Sequence, residues 1–124
     1  PPWNRIDPGL FDGLGAIGIE AVSTFAPRKA AAPAPGLRQV NTHVDPVAWH
    51  DGRGYAGDGA VLGQLTGHLA ARRTGEADAT EPTGILTHHL ASDEAGWVFL
   101  ENLFERTQQH QAAKWLTIEE TFRQ

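Results

Sequence analysis

The chain has 124 residues, of which 40% are hydrophobic and 20% are charged, and its formal net charge at pH 7 is -5. This composition excludes a disordered chain and is sufficient for one domain with a hydrophobic core. Basic residues are adjacent only at Arg28 with Lys29 and at Arg72 with Arg73, so we expect no nucleic acid among the partners. No apolar run approaches the ~20 residues of a membrane-spanning helix, and we expect no membrane span. Cysteine is absent, which excludes disulfides and thiolate metal sites and leaves the cellular compartment open.

The amino-terminal segment predicts a helix followed by a strand. Asp7 before Pro8 is typical of a helix start, with aspartate as the N-cap and proline at the first helical position. Gly15 or Gly18 would end this helix. The segment 19–25 is short, apolar and β-branched, which is the composition of a buried strand.

The middle of the chain predicts a second strand and a long helix. An Ala- and Pro-rich loop at 26–36 precedes the segment 37–44, which has strand character and runs into Asp45 and a proline that should end it. Apolar residues at helical spacing predict a helix over 60–73, and Gly75 is a natural C-cap for it.

The last third of the chain predicts two more strands and two more helices. The segment 84–90 has the composition of a strand whose polar residues lie near its carboxyl end. Ser92 is the expected N-cap of the next helix, which carries an apolar stripe. A short strand at 115–118 is expected, followed by a helix whose start is indicated by a capping-box pattern formed by Thr117 and Glu120.

The alternation of these elements predicts an α/β protein with parallel strands. Half of a (β/α) barrel fits this alternation best. Reactive groups in such folds lie at the carboxyl ends of the strands. Asp45, His88 and His89 fall there.

Two short segments offer groups that can carry chemistry. His43 and Asp45 are two residues apart on a strand and face the same side, whereas His88 and His89 are adjacent and face opposite sides. One carboxylate and two imidazoles suffice for general acid/base catalysis or for a metal site at His43, Asp45 and His88.

Each of these residues also has an ordinary structural interpretation. His43 and His89 can be satisfied by backbone hydrogen bonds near a strand end, and Asp45 before proline is a common turn starter. The other histidines lack a partner pattern and are assigned to surface or helix positions: His50, His68 and His110.

The four tryptophans divide into two groups. Trp3 and Trp49 lie in polar, loop-like surroundings, where flat aromatic faces can stack on a sugar ring. Trp97 and Trp115 lie on faces that we expect to be buried in the core.

Three segments resemble the later motifs of the NodB-homology polysaccharide deacetylases, also called carbohydrate esterase family four. Pro2 and Trp3 resemble the end of an Arg-x-Pro-aromatic motif. The segment 45–49 resembles a motif in which tryptophan follows aspartate by four residues, although Ala48 replaces the family's second aspartate. Leu86 and His88 match a Leu-x-His motif at the end of a strand.

The resemblance implies that the chain is part of a distorted (β/α) barrel with parallel strands, whose amino-terminal half is missing from this sequence. It also implies a metal-dependent hydrolase that removes acetyl groups from a sugar polymer. His88 would be the catalytic acid and Asp45 would orient it. Trp3, Trp49 and Leu86 would contact the substrate. A divalent metal, zinc in many members, would polarise the acetyl carbonyl in the complete domain.

The family's metal ligands come from Asp-Asp and His-x-x-x-His motifs, and neither occurs in this sequence. We therefore expect residues 1–124 to be the carboxyl-terminal portion of a single domain, without metal ligands of its own and inactive alone. The missing half or a second copy of the chain would cover the open sheet. The alternatives are a non-catalytic carbohydrate-binding relative and a hydrolase with its own metal site at His43, Asp45 and His88.

Overall fold

The computed structural model describes residues 1–123 of the chain. In chain order the elements are two short 3-10 helices (Pro2–Asn4 and Pro8–Leu10), α1 (Phe11–Ala16), β1 (Ala21–Val22), β2 (Arg38–Gln39), α2 (Asp58–Thr74), α3 (Glu94–Thr107) and α4 (Ile118–Phe122). None of these helices is long and apolar enough to cross a membrane.

The sheet is parallel and open. Strands β1 and β2 pair with Ala21 opposite Arg38, and further parallel contacts join Phe25 to Thr42 and Val44 to Ile85. Three extended segments therefore lie side by side and run in the same direction. The mixed helix and strand content and the parallel pairing that we predicted are confirmed, whereas a barrel is not seen in the described residues.

Two of the predicted strands are shorter in the structure, the segment 84–90 contributes only a single bridge at Ile85, and the strand predicted at 115–118 is wrong. The segment 115–117 has no regular structure and α4 begins at Ile118. The ring of Trp115 packs on Phe104, with centroids 4.3 Å apart, and its Nε1–H donates to the Thr107 hydroxyl at 2.9 Å. Contacts with α3 thus take the place of pairing in the sheet. The capping box of Thr117 and Glu120 is confirmed.

The ends of the two long helices follow from individual capping residues. Gly75 ends α2 with a φ of 84°, a left-handed conformation that glycine adopts without steric cost, as predicted. The N-cap of α3 is Asp93 rather than the predicted Ser92. One carboxylate oxygen of Asp93 accepts the Gly96 N–H at 2.9 Å, and the other accepts the Tyr55 N–H at 2.8 Å. Asp93 therefore also ties the turn before α2 to α3.

The hydrophobic core of the described residues consists of two separate clusters. The larger cluster joins the end of the central segment to α2 and α3, and its buried members are Val44, Val61, Phe99 and Leu100. The smaller one lies under the amino-terminal helix and consists of Val22, Ala34 and Leu37. Because Val44 is completely buried, the larger cluster fixes the strand end that immediately precedes Asp45.

Trp97 and Trp115 are not core residues, contrary to the sequence-based prediction. They are 43% and 41% exposed and line an open groove of about 1370 Å³ together with Leu69 and Phe104. The apolar spacing of Trp97 on α3 reflects a groove wall, which has the same helical periodicity as a buried face, whereas Trp115 lies in a segment without regular structure.

The close pairing around Gly84 yields a stability prediction. A Cβ at this position would lie 2.6 Å from the Asn41 carbonyl oxygen and 3.0 Å from Thr42 Cα. Gly84→Ala should therefore lower the free energy of unfolding by about 1–3 kcal/mol, the usual effect of overpacking.

Urea unfolding monitored by circular dichroism measures this effect, with Gly63→Ala as the matched control. Gly63 lies within α2, where an added Cβ would meet no atom within 4 Å, so its change should stabilise the protein by up to about 1 kcal/mol. A Gly84→Ala protein as stable as the wild type would contradict the described strand pairing.

Candidate functional site

Asp45 and His88 meet at the carboxyl ends of two neighbouring segments. The His88 Nε2 atom lies 3.2 Å from the Asp45 Oδ2 atom. The two side chains are 17% (Asp45) and 23% (His88) exposed. The pairing follows from the parallel contact of Val44 with Ile85, which brings both segment ends to one edge. The structure thus brings together the two residues that the sequence assigned to catalysis.

Trp49 completes this group. Its Nε1–H donates to the same Asp45 oxygen at 2.8 Å, and its ring meets the His88 ring nearly perpendicularly, with centroids 4.8 Å apart. The Asp45 carboxylate thereby fixes both rings. Trp49 is also 42% exposed, so part of its surface is open to a ligand.

Asp45 is also held through its backbone and its second carboxylate oxygen. The Val47 N–H donates to Asp45 Oδ1 at 3.0 Å, which is the Asx-type turn expected before a proline. Gln64 on α2 accepts the Asp45 N–H at 2.9 Å and donates to the Asp45 carbonyl at 3.2 Å. The turn starter and the partner of His88 are therefore the same residue, and the two interpretations of Asp45 do not compete.

The hydrogen bonds define what His88 can do chemically. Because Asp45 engages Nε2, the Nδ1 atom is the ring nitrogen left for a reacting group. A carboxylate on one ring nitrogen stabilises the imidazolium form, which can then donate a proton from the other nitrogen. This arrangement suits a general acid.

The other predicted substrate residues differ in how close they come to this group. Leu86 is half-buried two residues before His88, and its N–H donates to the Val44 carbonyl at 2.8 Å. Trp3 is 90% exposed, and no hydrogen bond or ring contact within residues 1–123 joins it to Asp45, Trp49 or His88. His89 is exposed, in agreement with its assignment outside the site.

A second polar group lies inside the protein and consists of His43, His68 and Glu81. All three are buried, with relative exposures of 7%, 7% and 0%. The two imidazole rings stack with centroids 3.5 Å apart and an interplanar angle of 15°. The ligand atoms of the three residues lie within 4.8 Å of one another, so the group could hold a metal ion.

Glu81 is charged although it is buried, because its partners favour the carboxylate. Burial alone would raise its pKa, but the His43 ring and the backbone N–H groups of Arg28 and Asn41 lower it below the usual value. These N–H groups donate at 2.9 Å (Arg28) and 2.8 Å (Asn41). The His43 Nε2 atom lies 3.2 Å from Glu81 Oε2 at an angle that makes no hydrogen bond.

His68 is held in the neutral form. Burial is the main cause that lowers the pKa of His68 to about 4, and the neighbouring His43 and Arg72 lower it further. The Nδ1 atom of His68 lies 2.9 Å from the Thr83 hydroxyl, whereas its Nε2 atom is buried without a hydrogen-bond partner.

This buried group differs from the metal site that the sequence offered as an alternative. The expected ligands were His43, Asp45 and His88, but in the structure His43 contacts His68 and Glu81 while Asp45 contacts His88. The assignment of His68 to a surface or helix position misses its burial. His68 follows Val61 and Leu65 by seven and three residues on α2, and this spacing was the signal for its burial. Glu81 lies in a polar linker whose sequence carries no such signal.

The neutral state of His68 predicts a pH dependence of stability. Between pH 6.5, the ordinary pKa of histidine, and about 4, the folded pKa of His68, the unfolded chain binds a proton that the folded protein does not. The free energy of unfolding should therefore fall as the pH drops through this window. Glu81 acts in the same direction at lower pH, because its folded pKa is depressed.

Urea midpoints measured with a chelator present, at intervals from pH 7.5 to 4, test this prediction. The His68→Gln protein should show a flatter profile, and a His50→Gln protein, changed at an exposed histidine, should follow the wild type. A wild-type midpoint that does not change over this range would contradict the neutral state of His68.

Comparison with known proteins identifies no relative. No protein-family model, no curated protein and no solved structure matches the chain. The function proposed below therefore rests on the geometry of Asp45, Trp49 and His88 and on the three short motifs.

Proposed function

We propose that this chain supplies the acid-histidine half of a metal-dependent hydrolase that removes acetyl groups from a sugar polymer. The observation that carries this is the Asp45 carboxylate, which accepts hydrogen bonds from both His88 and Trp49. The two motifs that resemble the deacetylases are far apart in sequence, and a chance resemblance gives no reason for their side chains to meet.

In the proposed reaction, water adds to the acetyl carbonyl and the bond to the sugar nitrogen or oxygen breaks. The leaving atom needs a proton, and His88 donates it from Nδ1 while Asp45 stabilises the imidazolium through Nε2. The partial exposure of His88 gives a substrate access to the ring. Its contact with Trp49 fixes the ring plane, so the proton is delivered in one direction.

Trp49 and Leu86 form the proposed substrate surface. The exposed part of the Trp49 ring offers a flat apolar face to the C–H side of a sugar, and Leu86 lies on the segment that carries His88 and would bound the acetyl methyl. Trp3 would contact a more distant sugar unit. A divalent metal, proposed as zinc, would polarise the carbonyl, and its ligands would come from a segment that precedes this sequence.

A carbohydrate-binding protein without catalysis is the second candidate. Ala48 favours it, because the resembling motif has a second aspartate where this chain has alanine. Such a protein would keep the aromatic surface of Trp49 and would use His88 as a hydrogen-bonding group. For either function, we propose that the missing half or a second copy of the chain covers the open sheet.

The roles assigned to His88 and Asp45 predict the effects of two substitutions. In the longer protein that includes the metal-binding segment, His88→Ala should reduce acetate release by about 10²–10⁴-fold, the usual contribution of a general acid. Asp45→Asn should cause a smaller reduction, because an amide still accepts one hydrogen bond but stabilises the imidazolium less. Acetate release from an acetylated oligosaccharide measures both.

His89→Ala is the matched control, because it removes an adjacent, exposed histidine, and it should retain wild-type turnover. Wild-type turnover in the His88→Ala protein would exclude the acid role. If the wild-type protein binds the oligosaccharide, as measured by tryptophan fluorescence, but releases no acetate, the second candidate function is the correct one.

A further inference from the structure

We propose that His43, His68 and Glu81 form a buried zinc site within this chain, which uses neither Asp45 nor His88. The three side chains come from three places in the sequence: the extension of β2, the middle of α2 and the linker that follows α2. Two imidazoles and one carboxylate are a donor set that zinc binds in proteins. This site is separate from the metal of the proposed deacetylase, whose ligands lie outside the chain.

The strongest observation is that two ring nitrogens in this group are buried without a hydrogen-bond partner, namely Nε2 of His43 and Nε2 of His68. A buried polar atom without a partner is unfavourable, because it has lost its hydrogen bonds to water. His43 Nε2 lies 3.2 Å from Glu81 Oε2, and one ligand atom of each of the three residues lies within 4.8 Å of the other two, so one cation among them would satisfy all three residues.

The groups that contact His68 and Glu81 already orient these two side chains for metal binding. The His68 Nδ1 atom lies 2.9 Å from the Thr83 hydroxyl, and a proton there leaves the Nε2 lone pair free for a metal. Each Glu81 oxygen accepts one backbone N–H, from Arg28 or Asn41. These bonds orient the carboxylate and leave further lone pairs for coordination.

The ligands must close around the ion. Ligand atoms up to 4.8 Å apart are too distant for a single zinc, which needs bonds of about 2.0–2.2 Å. Small rotations of the two stacked rings bring the nitrogens together. Glu81 stays in place because its backbone partners hold it.

The position of the ring proton on His43 determines how many protons are released when zinc binds. Its Nδ1 atom accepts the Gly84 N–H at 3.1 Å, so the ring proton is on Nε2, facing Glu81. Gly84 cannot withdraw easily, because it packs against the Asn41 carbonyl and Thr42. Zinc at Nε2 therefore replaces that proton, His43 binds as an imidazolate, and one proton is released for each ion bound.

Two measurements on the chelator-treated protein test this site. After incubation with zinc chloride and desalting, metal analysis should find about one zinc per chain, and binding should raise the urea midpoint. Calorimetric titration in two buffers of different ionisation enthalpy should show release of about one proton per zinc.

His68→Gln is the informative variant, because glutamine can keep a hydrogen bond to Thr83 while losing the ring nitrogen. It should retain less than about a tenth of the zinc, and His50→Gln, at an exposed histidine, should retain all of it. If the variant fails to fold, cobalt bound to the wild type provides a second readout, with the intense visible absorption of a four-coordinate site in which water is the fourth ligand. Three outcomes would each overturn the site: a wild-type protein that binds no zinc, a folded His68→Gln protein that keeps its full zinc content, or zinc binding without the release of a proton.

Discussion

The parallel contact between Val44 and Ile85 is the constraint on which the rest of the structure depends. The Leu86 N–H donates to the Val44 carbonyl, and the His43 N–H donates to the Gly84 carbonyl, both at 2.8 Å. Side chains that are about 40 residues apart in the sequence are thereby brought into register. Because the two segments run in the same direction, their carboxyl ends meet, and Asp45 and His88 face one another. The absence of a side chain at Gly84 allows this approach.

The same segment serves two polar groups with different environments. His43 points into the protein, where burial and stacking on His68 exclude water. Asp45, two residues later, lies at the rim and keeps some exposure. A buried imidazole is limited to its fixed partners, whereas His88 at the rim has one ring nitrogen held by Asp45 and the other available. The hydrolysis proposed for this chain therefore belongs to the rim, and the buried group, which we propose as a zinc site, lies in the framework below it.

The sequence predicted those features that follow from local rules, and missed those that depend on depth within the fold. Asp45 and His88 were predicted together because turn chemistry and parallel strand ends place both at one edge. Two-residue alternation placed His43 on the side of Asp45, but it does not report how deeply a ring is buried, so the contact with His68 was missed. The segment 115–118 has strand composition, but Trp115 packs on Phe104 and donates a hydrogen bond to Thr107, both on α3, instead of pairing in the sheet. Ser92 and Asp93 are both good capping residues, and the contact with Tyr55 selects Asp93.

Glu81 explains how a sheet with such short strands can hold its shape. A buried carboxylate is unfavourable unless all its oxygens are bonded, and here the partners belong to separate parts of the chain, namely the loop at Arg28 and the strand extension at Asn41. Arg28 adds to the same junction, because its guanidinium bonds Asp78 and the Gln39 carbonyl. Moving either the loop at Arg28 or the strand extension at Asn41 would leave one oxygen of this buried carboxylate without its backbone hydrogen bond. The linker after α2 is therefore fixed to the strands by polar contacts where the sheet itself offers few hydrogen bonds, and this positions the segment that ends at His88.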